Sequence, residues 1–282
     1  LLDFAKDIEQ LVRNKKKVII VSSGAIALGC KKLNINKKNL KLDKSQAVAS
    51  IGQIELMNLF NEIFKKRKLN LSQILLTLED TEIRRRAINA KRTFDNLFDL
   101  GFIPLVNEND SIATSEIKYG DNDRLASRVA QISGSDCLIL FSDVDGLFDS
   151  NPKVNRNAKL ISNVKEINNK IENYISKNVS EHGTGGMKTK IEAARICQIS
   201  GCYMAIANGL INRPIKNIIS KNICTWFLPK ISKLDARKKW IISSISPKGE
   251  LVIDDGAIKA LKQGKSLLAA GIKKVNGNFN KG

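Results

Sequence analysis

The sequence predicts an α/β fold: a largely parallel sheet flanked by helices, followed by the start of a small β-rich domain. Three observations predict it. Short apolar runs rich in Val and Ile alternate with longer stretches of helical period. Those runs are continuous rather than alternating, as in strands buried on both faces. After about residue 229 the texture changes to short β-like pieces and Gly-bearing turns.

The elements follow in order. Residues 1–13 read as an amphipathic helix with Leu2, Ile8, Leu11 and Val12 apolar. Val18-Ile19-Ile20-Val21 is the first strand and ends in Ser22-Ser23-Gly24-Ala25. Residues 45–66 are a helix, with Val48, Ile51, Leu59, Ile63 and Phe64 near the 3.6 period. Residues 71–77 are a strand, and residues 79–100 a charged helix closed by Gly101, a residue suited to the left-handed C-terminal position. Residues 102–106 are a strand with Pro104 near its start, and 123–133 a helix. Cys137-Leu138-Ile139-Leu140-Phe141 is the most apolar strand. A helix over 187–200 is closed by Gly201, and residues 203–207 are another strand. Beyond the change of texture, residues 240–243 and 250–253 read as strands and 256–263 as a helix.

Composition limits the function classes. With 282 residues, 43% hydrophobic and 27% charged, the chain is an ordinary globular one, long enough to bury a core without disulfides or metals. Disordered, collagen-like and disulfide-miniprotein classes are excluded. No apolar run approaches the roughly 20 residues of a membrane helix, so no membrane partner is expected. The net charge of +19 suggests an anionic partner. Only 12 of the 47 basic residues are Arg, however, and the lysines are scattered, which argues against a nucleic-acid patch. The five cysteines form no C-x-x-C pair, and His182 is the single histidine. That leaves no zinc constellation and reads as reduced thiols in a cytoplasmic protein. The chain begins at Leu1 rather than Met, without a signal-peptide pattern, and residues 273–282 break off within a strand-and-turn pattern. The expectation is a piece truncated at both ends.

Ligands of an open α/β sheet bind beyond the carboxyl ends of its strands. Polar segments stand there: Ser22-Ser23-Gly24, Asn107-Glu108-Asn109-Asp110, and Ser142-Asp143-Val144-Asp145-Gly146. Two more precede helices: Gly120-Asp121-Asn122-Asp123 and Gly183-Thr184-Gly185-Gly186, the latter leading into Met187-Lys188-Thr189-Lys190. Each alone is also an ordinary turn. The glycine-rich run lets backbone N–H groups reach an anion at a helix N-terminus. It has neither Walker nor Rossmann spacing, and its residues leave open a phosphate cradle or a plain flexible loop. Together the segments suit phosphoryl transfer, where catalysis is mostly positioning and charge neutralisation.

The runs SSGAIALG (22–29), VNENDSIATSEIKYGDND (106–123), SDVDGLF (142–148) and GTGGMKTKIEAA (183–194) resemble the glutamate 5-kinases of the amino acid kinase family. Residues 1–228 resemble the kinase domain. After a linker over 229–244, residues 245–282 resemble the opening of a PUA domain. The resemblance implies ATP-dependent phosphorylation of the side-chain carboxylate of L-glutamate, with Mg2+, as the first step of proline biosynthesis. That carboxylate is already ionised at neutral pH, so no general base is needed.

Matched motif to motif, the resemblance implies that Ser23, Asp110 and Asn122 bind glutamate. Asp110 would meet the amino group, and Ser23 and Asn122 would donate to carboxylate oxygens. Ser142, Asp143 and the run Thr184, Gly185, Gly186, Met187, Lys188, Thr189 and Lys190 would bind ATP. Lys190 would also neutralise the transferred phosphoryl group, and Asp123 would orient the lysines around it. The resemblance further implies a homo-oligomer inhibited by proline, with residues 111–120 the place for inhibition. One departure matters: the family's opening strand and its Lys-x-Gly-Ser/Thr loop are missing before Leu1. The expectation is that these 282 residues alone have no useful kinase activity. Two other readings remain open at this stage: a family member acting on another small acid or a nucleoside monophosphate, and an RNA-binding protein of PUA type.

Overall fold

The computed structural model describes residues 1–36, 40–112, 122–152, 154–177, 186–232, 234–236 and 249–277. Residues up to 237 form one unit and those from 238 a second. In the first, α1 (Leu2–Arg13) leads into β1 (Ile20–Val21), α2 (Ala25–Leu33), α3 (Leu42–Lys65), β2 (Asn70–Leu76), α4 (Leu78–Glu82), α5 (Arg84–Asp99) and β3 (Phe102–Glu108). Then come α6 (Asn122–Ser133), β4 (Cys137–Ser142), β5 (Asn163–Val164), α7 (Asn169–Lys177), α8 (Met187–Ile199), β6 (Tyr203–Asn208), α9 (Pro214–Lys221) and β7 (Thr225–Phe227).

Two sheets result. β1, β3 and β2 lie side by side in the order β1-β3-β2, all parallel, with Val21 opposite Val106 and Leu76 opposite Glu108. The second has the order β4-β6-β7-β5, with β4 parallel to β6 and Ser142 opposite Asn208. β7 runs antiparallel to β6, and β5, parallel to β7, shares its direction, so the parallel expectation holds for β1, β2, β3, β4 and β6 but not for β5 and β7. Parallel pairs need crossovers, and the helices between them supply these.

The expected elements recur within a few residues, but some differ and β5, α7, α9 and β7 were not expected. Strand 18–21 is reduced to Ile20–Val21, which among the described strands pairs with β3 alone. The helix expected over 79–100 is two helices, because Ile83 is extended (ψ 112°). Thr77 begins α4 at the end of β2 through a reciprocal cap with Asp80: the Asp80 N–H donates to Thr77 Oγ1 (3.3 Å) and the Thr77 N–H to Asp80 Oδ2 (2.8 Å). Helix α2 went unread, since its nine residues carry only a short period.

Helix α2 nonetheless decides how α3 lies. A Cβ on Gly52 would stand 1.8 Å from the Ala25 carbonyl oxygen, and one on Gly29 would stand 2.1 Å from that of Val48. The two helices therefore touch backbone to backbone, a distance only glycine permits.

Beneath the first sheet, Ile8, Ile20, Phe60, Phe64, Ile103 and Leu105 form one buried cluster. Around the second, Ala126 and Ala130 of α6 share a core with Ile191, Ala193, Ala194 and Cys197 of α8 and Met204 and Ile206 of β6. Four of the five cysteines are buried, Cys137 is exposed, and all five are free thiols. A hydrogen bond with Cys202, together with burial, pushes the Cys197 thiol up. No helix among the described residues is long and apolar enough to cross a membrane.

The second unit pairs β8 (Gly249–Ile253) antiparallel with β9 (Ile272–Gly277). Between them lies α10 (Asp255–Lys262), whose first turn is capped by Asp254 accepting from the Ala257 N–H at 2.7 Å. The strand expected over 240–243 falls outside the described residues.

Candidate active site

The strand ends place the expected residues. Ser22 and Ser23 follow β1, with the Ser22 N–H donating to the Val106 carbonyl at 2.9 Å. Ser22 is buried and Ser23 exposed. Gly24 then turns at φ +106°, a conformation natural to glycine, and starts α2. Asn107 and Glu108 end β3 and are buried, and the Asn109 N–H donates to the Leu76 carbonyl at 2.9 Å. Asp110 follows, half-buried.

At the head of α6, Asn122 donates through Nδ2 to the Ser22 carbonyl and to Asn107 Oδ1 (3.0 Å). Asn107 Nδ2 in turn donates to Gln53 Oε1 of α3 at 2.8 Å. The next residue, Asp123, accepts through Oδ2 from Lys190 Nζ at 2.9 Å and from Thr189 Oγ1 at 2.8 Å. Only 11% of the Lys190 side chain and 18% of that of Asp123 are exposed, so solvent screens the pair far less than a surface ion pair. The single Thr189 hydroxyl hydrogen is shared between Asp123 Oδ2 and the Gly186 carbonyl, which lies 2.9 Å from Oγ1. Gly186 and Lys188 are exposed, and Met187 packs against the core.

On the second sheet, Ser142 Oγ donates to Asp143 Oδ1 at 3.3 Å. The Gly209 N–H donates to the Ser142 carbonyl at 2.9 Å, and Asn208 Nδ2 to Asp145 Oδ1 at 3.1 Å. The ends of β4 and β6 are thereby stitched together.

The structure thus brings Asn122, Asp123, Thr189 and Lys190 into one bonded neighbourhood, with Ser23 exposed next to Ser22, whose carbonyl Asn122 bonds, and Ser142 and Asp143 at the end of β4. Thr184 and Gly185 lie outside the described residues, as do His182 and residues 113–121. Sequence reasoning missed three participants. Asn107 stood inside a motif that had been read, but as a strand end. Asn208 closes a strand and carried a visible signal as a polar residue at a carboxyl end. Gln53 carried none, being one polar residue on a long helix.

Parallel strands whose carboxyl ends gather hydroxyls, carboxylates and amides, with the buried Lys190 of α8 bonded to Asp123, suit a kinase of small molecules. The profile of the amino acid kinase family matches residues 1–208, and that of the PUA domain residues 249–282. The chain belongs to the amino acid kinase family and, within it, to the glutamate 5-kinases. It is 76% identical to glutamate 5-kinase of Pelagibacter ubique (strain HTCC1062), over all of this chain and 77% of that protein. It is 48% identical to glutamate 5-kinase of Rhodopseudomonas palustris (strain BisB18), over all of this chain and 75% of the relative. Among solved structures, carbamate kinase from Giardia lamblia bound to AMP-PNP superposes with a TM-score of 0.55 at 14% identity, covering 80% of this chain and 88% of that one. UMP kinase from Ureaplasma parvum gives 0.51 at 17% identity, with the same shares covered. These two share the fold.

Proposed function

We propose that the chain carries the machinery for transferring the γ-phosphoryl group of ATP to the side-chain carboxylate of L-glutamate, giving L-glutamate 5-phosphate for proline biosynthesis. The observation that carries this reading is Asp123, which holds both Lys190 and Thr189 at the head of α8 while its neighbour Asn122 is bonded to the ends of β1 and β3. An acceptor bound beside β1 and β3 and a nucleotide bound beside α8 and β4 would meet there.

The acceptor carboxylate attacks the γ-phosphorus. A new P–O bond forms, the bond to the bridging β–γ oxygen breaks, and ADP leaves with its electron pair. No proton has to move. Lys190 stabilises the charge that builds on the transferred group, and Asp123 fixes its ammonium in place. Ser23, Asp110 and Asn122 hold glutamate; Ser142, Asp143 and residues 184–190 hold the nucleotide. Mg2+ would come with the nucleotide and help neutralise the phosphate charge, held mainly by phosphates and water with one or two carboxylates; the Asp143 carboxylate at the end of β4 would be the one at hand on the nucleotide side.

The same reading takes residues 1–228 as the kinase domain, 229–244 as linker and 245–282 as part of a PUA domain. It also takes the protein as a cytoplasmic homo-oligomer inhibited by proline, all on the strength of the family resemblance. The decisive assay, on the protein expressed from its complete coding sequence, traps the acyl phosphate with hydroxylamine as the γ-hydroxamate. Hydroxamate formed only with ATP, glutamate and Mg2+ together supports the reading, whereas equal turnover of carbamate or UMP in place of glutamate rejects it.

A further inference from the structure

The amide chain Gln53–Asn107–Asn122 has a polarity that the backbone dictates. The Ser22 carbonyl can only accept, so the atom of Asn122 facing it is the NH2 group, and the amide cannot be flipped. The other hydrogen of that NH2 goes to Asn107 Oδ1 at 3.0 Å. Asn107 must then turn its own NH2 toward Gln53, whose Oε1 accepts at 2.8 Å. Both donors of Asn122 are consumed inside the protein, and what Asn122 has left to offer a ligand is its oxygen. Asn107 is 2% exposed, so the relay is shielded from competing water.

Gln53 is well placed to anchor it. It follows Gly52, the residue at which α3 touches the α2 backbone, so its Cα cannot drift without separating the two helices.

Resting on the reading of Asn122 as a glutamate-binding residue, we propose that Gln53 is a positioning residue which, through Asn107, holds the Asn122 amide oxygen toward the ligand. The site then reads the α-ammonium of the substrate as a hydrogen-bond donor. This reverses the expectation that Asn122 donates to a carboxylate. It gives the enzyme a means of telling an α-amino diacid from the same diacid without its amino group.

The test uses the protein expressed from its complete coding sequence, with glutamate as substrate and glutarate, which lacks the amino group, as competitive inhibitor. Gln53→Met keeps the length of the side chain but removes the acceptor. The expected result is a rise of about tenfold in KM for glutamate, the size of one hydrogen bond. The inhibition constant of glutarate, kcat and KM for ATP should stay within about twofold of the parent. Gln53→Glu keeps an oxygen facing Asn107 and should retain the discrimination. In an Asn122→Ala background, Gln53→Met should add nothing, because the relay then ends nowhere. Equal weakening of glutamate and glutarate, an unchanged glutamate KM, or effects that multiply in the double variant each overturn the proposal. Should Asn122→Ala alone leave the glutamate KM untouched, the assignment of Asn122 to the substrate fails first and takes this inference with it.

Discussion

Asn122 and Asp123 are consecutive residues at the head of α6, yet they bond in opposite directions. Asn122 reaches the ends of β1 and β3 through the Ser22 carbonyl and Asn107, and Asp123 reaches Lys190 and Thr189 at the start of α8. Successive side chains on a helix diverge by about 100°, so one helix start can serve two sides of a site. Small residues let α6 approach α8: Ala126 and Ala130 pack with Ala193 and Ala194 in the same core.

From this division of labour comes a kinetic contrast. If Lys190 stabilises the transferred group as proposed, Lys190→Ala should lower kcat by about 10²–10³, the usual cost of losing one preorganised charge stabiliser. Asp123→Asn keeps the shape but releases Lys190, and it too should lower kcat more than it raises KM for glutamate. Asn122→Ala should do the reverse, raising the glutamate KM while kcat changes little. Steady-state kinetics on the three variants, with circular dichroism to confirm folding, checks the contrast. The same profile from Asn122→Ala and Asp123→Asn would show that the two neighbours do not serve separate sides.

The extent to which this was legible in sequence depended on distance along the chain. The continuous apolar runs over 102–106 and 137–141 announced the strands found as Phe102–Glu108 and Cys137–Ser142, and the polar residues following those runs supplied the proposed site residues. Those signals are local. The Lys190–Asp123 bond spans 67 residues and the Asn107–Gln53 bond 54, and no periodicity encodes such pairings. The antiparallel β7 escaped notice because three residues are too few to show a period. Ile83 splits a helix through its backbone conformation alone, without a proline or glycine to mark the break.

Gly52→Ala is a test of the helix contact beneath the relay. In an ordinary helix interior alanine is better than glycine by up to about 1 kcal/mol. Here the added Cβ would stand 1.8 Å from the Ala25 carbonyl oxygen and 2.5 Å from the Gly29 nitrogen. Backbone atoms cannot rotate aside, so overpacking, typically about 1–3 kcal/mol, should prevail and the net change should be destabilising. Urea denaturation is the measurement, with a lower midpoint at an unchanged slope as the expected outcome.

Asp80 supplies a pH prediction. Burial pushes its carboxyl up, but hydrogen bonds from the Thr77 N–H and hydroxyl, with Arg86 beside it, outweigh burial and leave its pKa below the ordinary 3.8. A carboxylate whose folded pKa is depressed adds stability that is present above its unfolded pKa and lost as pH falls through the folded one. The melting-temperature advantage of the parent over Asp80→Asn should therefore hold from neutrality down to about pH 4 and shrink below it. An advantage that grows in acid would contradict the cap as the source of the shift.

Asp7 should be the most costly single charge to remove among the described residues away from the site. It sits on α1, and only 1% of its side chain is exposed. Its carboxylate accepts from Arg213 Nε at 2.6 Å, from the Ile215 N–H at 2.8 Å and from the Lys216 N–H at 3.3 Å. It thus caps α9 from another helix, a partner some 200 residues away in sequence doing what a local Ser or Asp usually does. Arg213 takes a left-handed conformation at φ 51° as it enters α9, a strained geometry for a residue with a Cβ, and one that the Asp7 contacts hold. Asp7→Ala would strand two helix N–H groups and a guanidinium together. Hydrogen bonds to a charged group contribute about 1.5–3 kcal/mol each at most, and Arg213, partly exposed, can recover some hydration. A total loss of about 3 kcal/mol is expected, or a fall of roughly 6–12 °C in Tm for a domain of this size. Asp7→Asn keeps one acceptor oxygen and should lose about half as much. Scanning calorimetry separates the two variants, and a fall of only a degree or so in Asp7→Ala would show that α9 holds its start without α1.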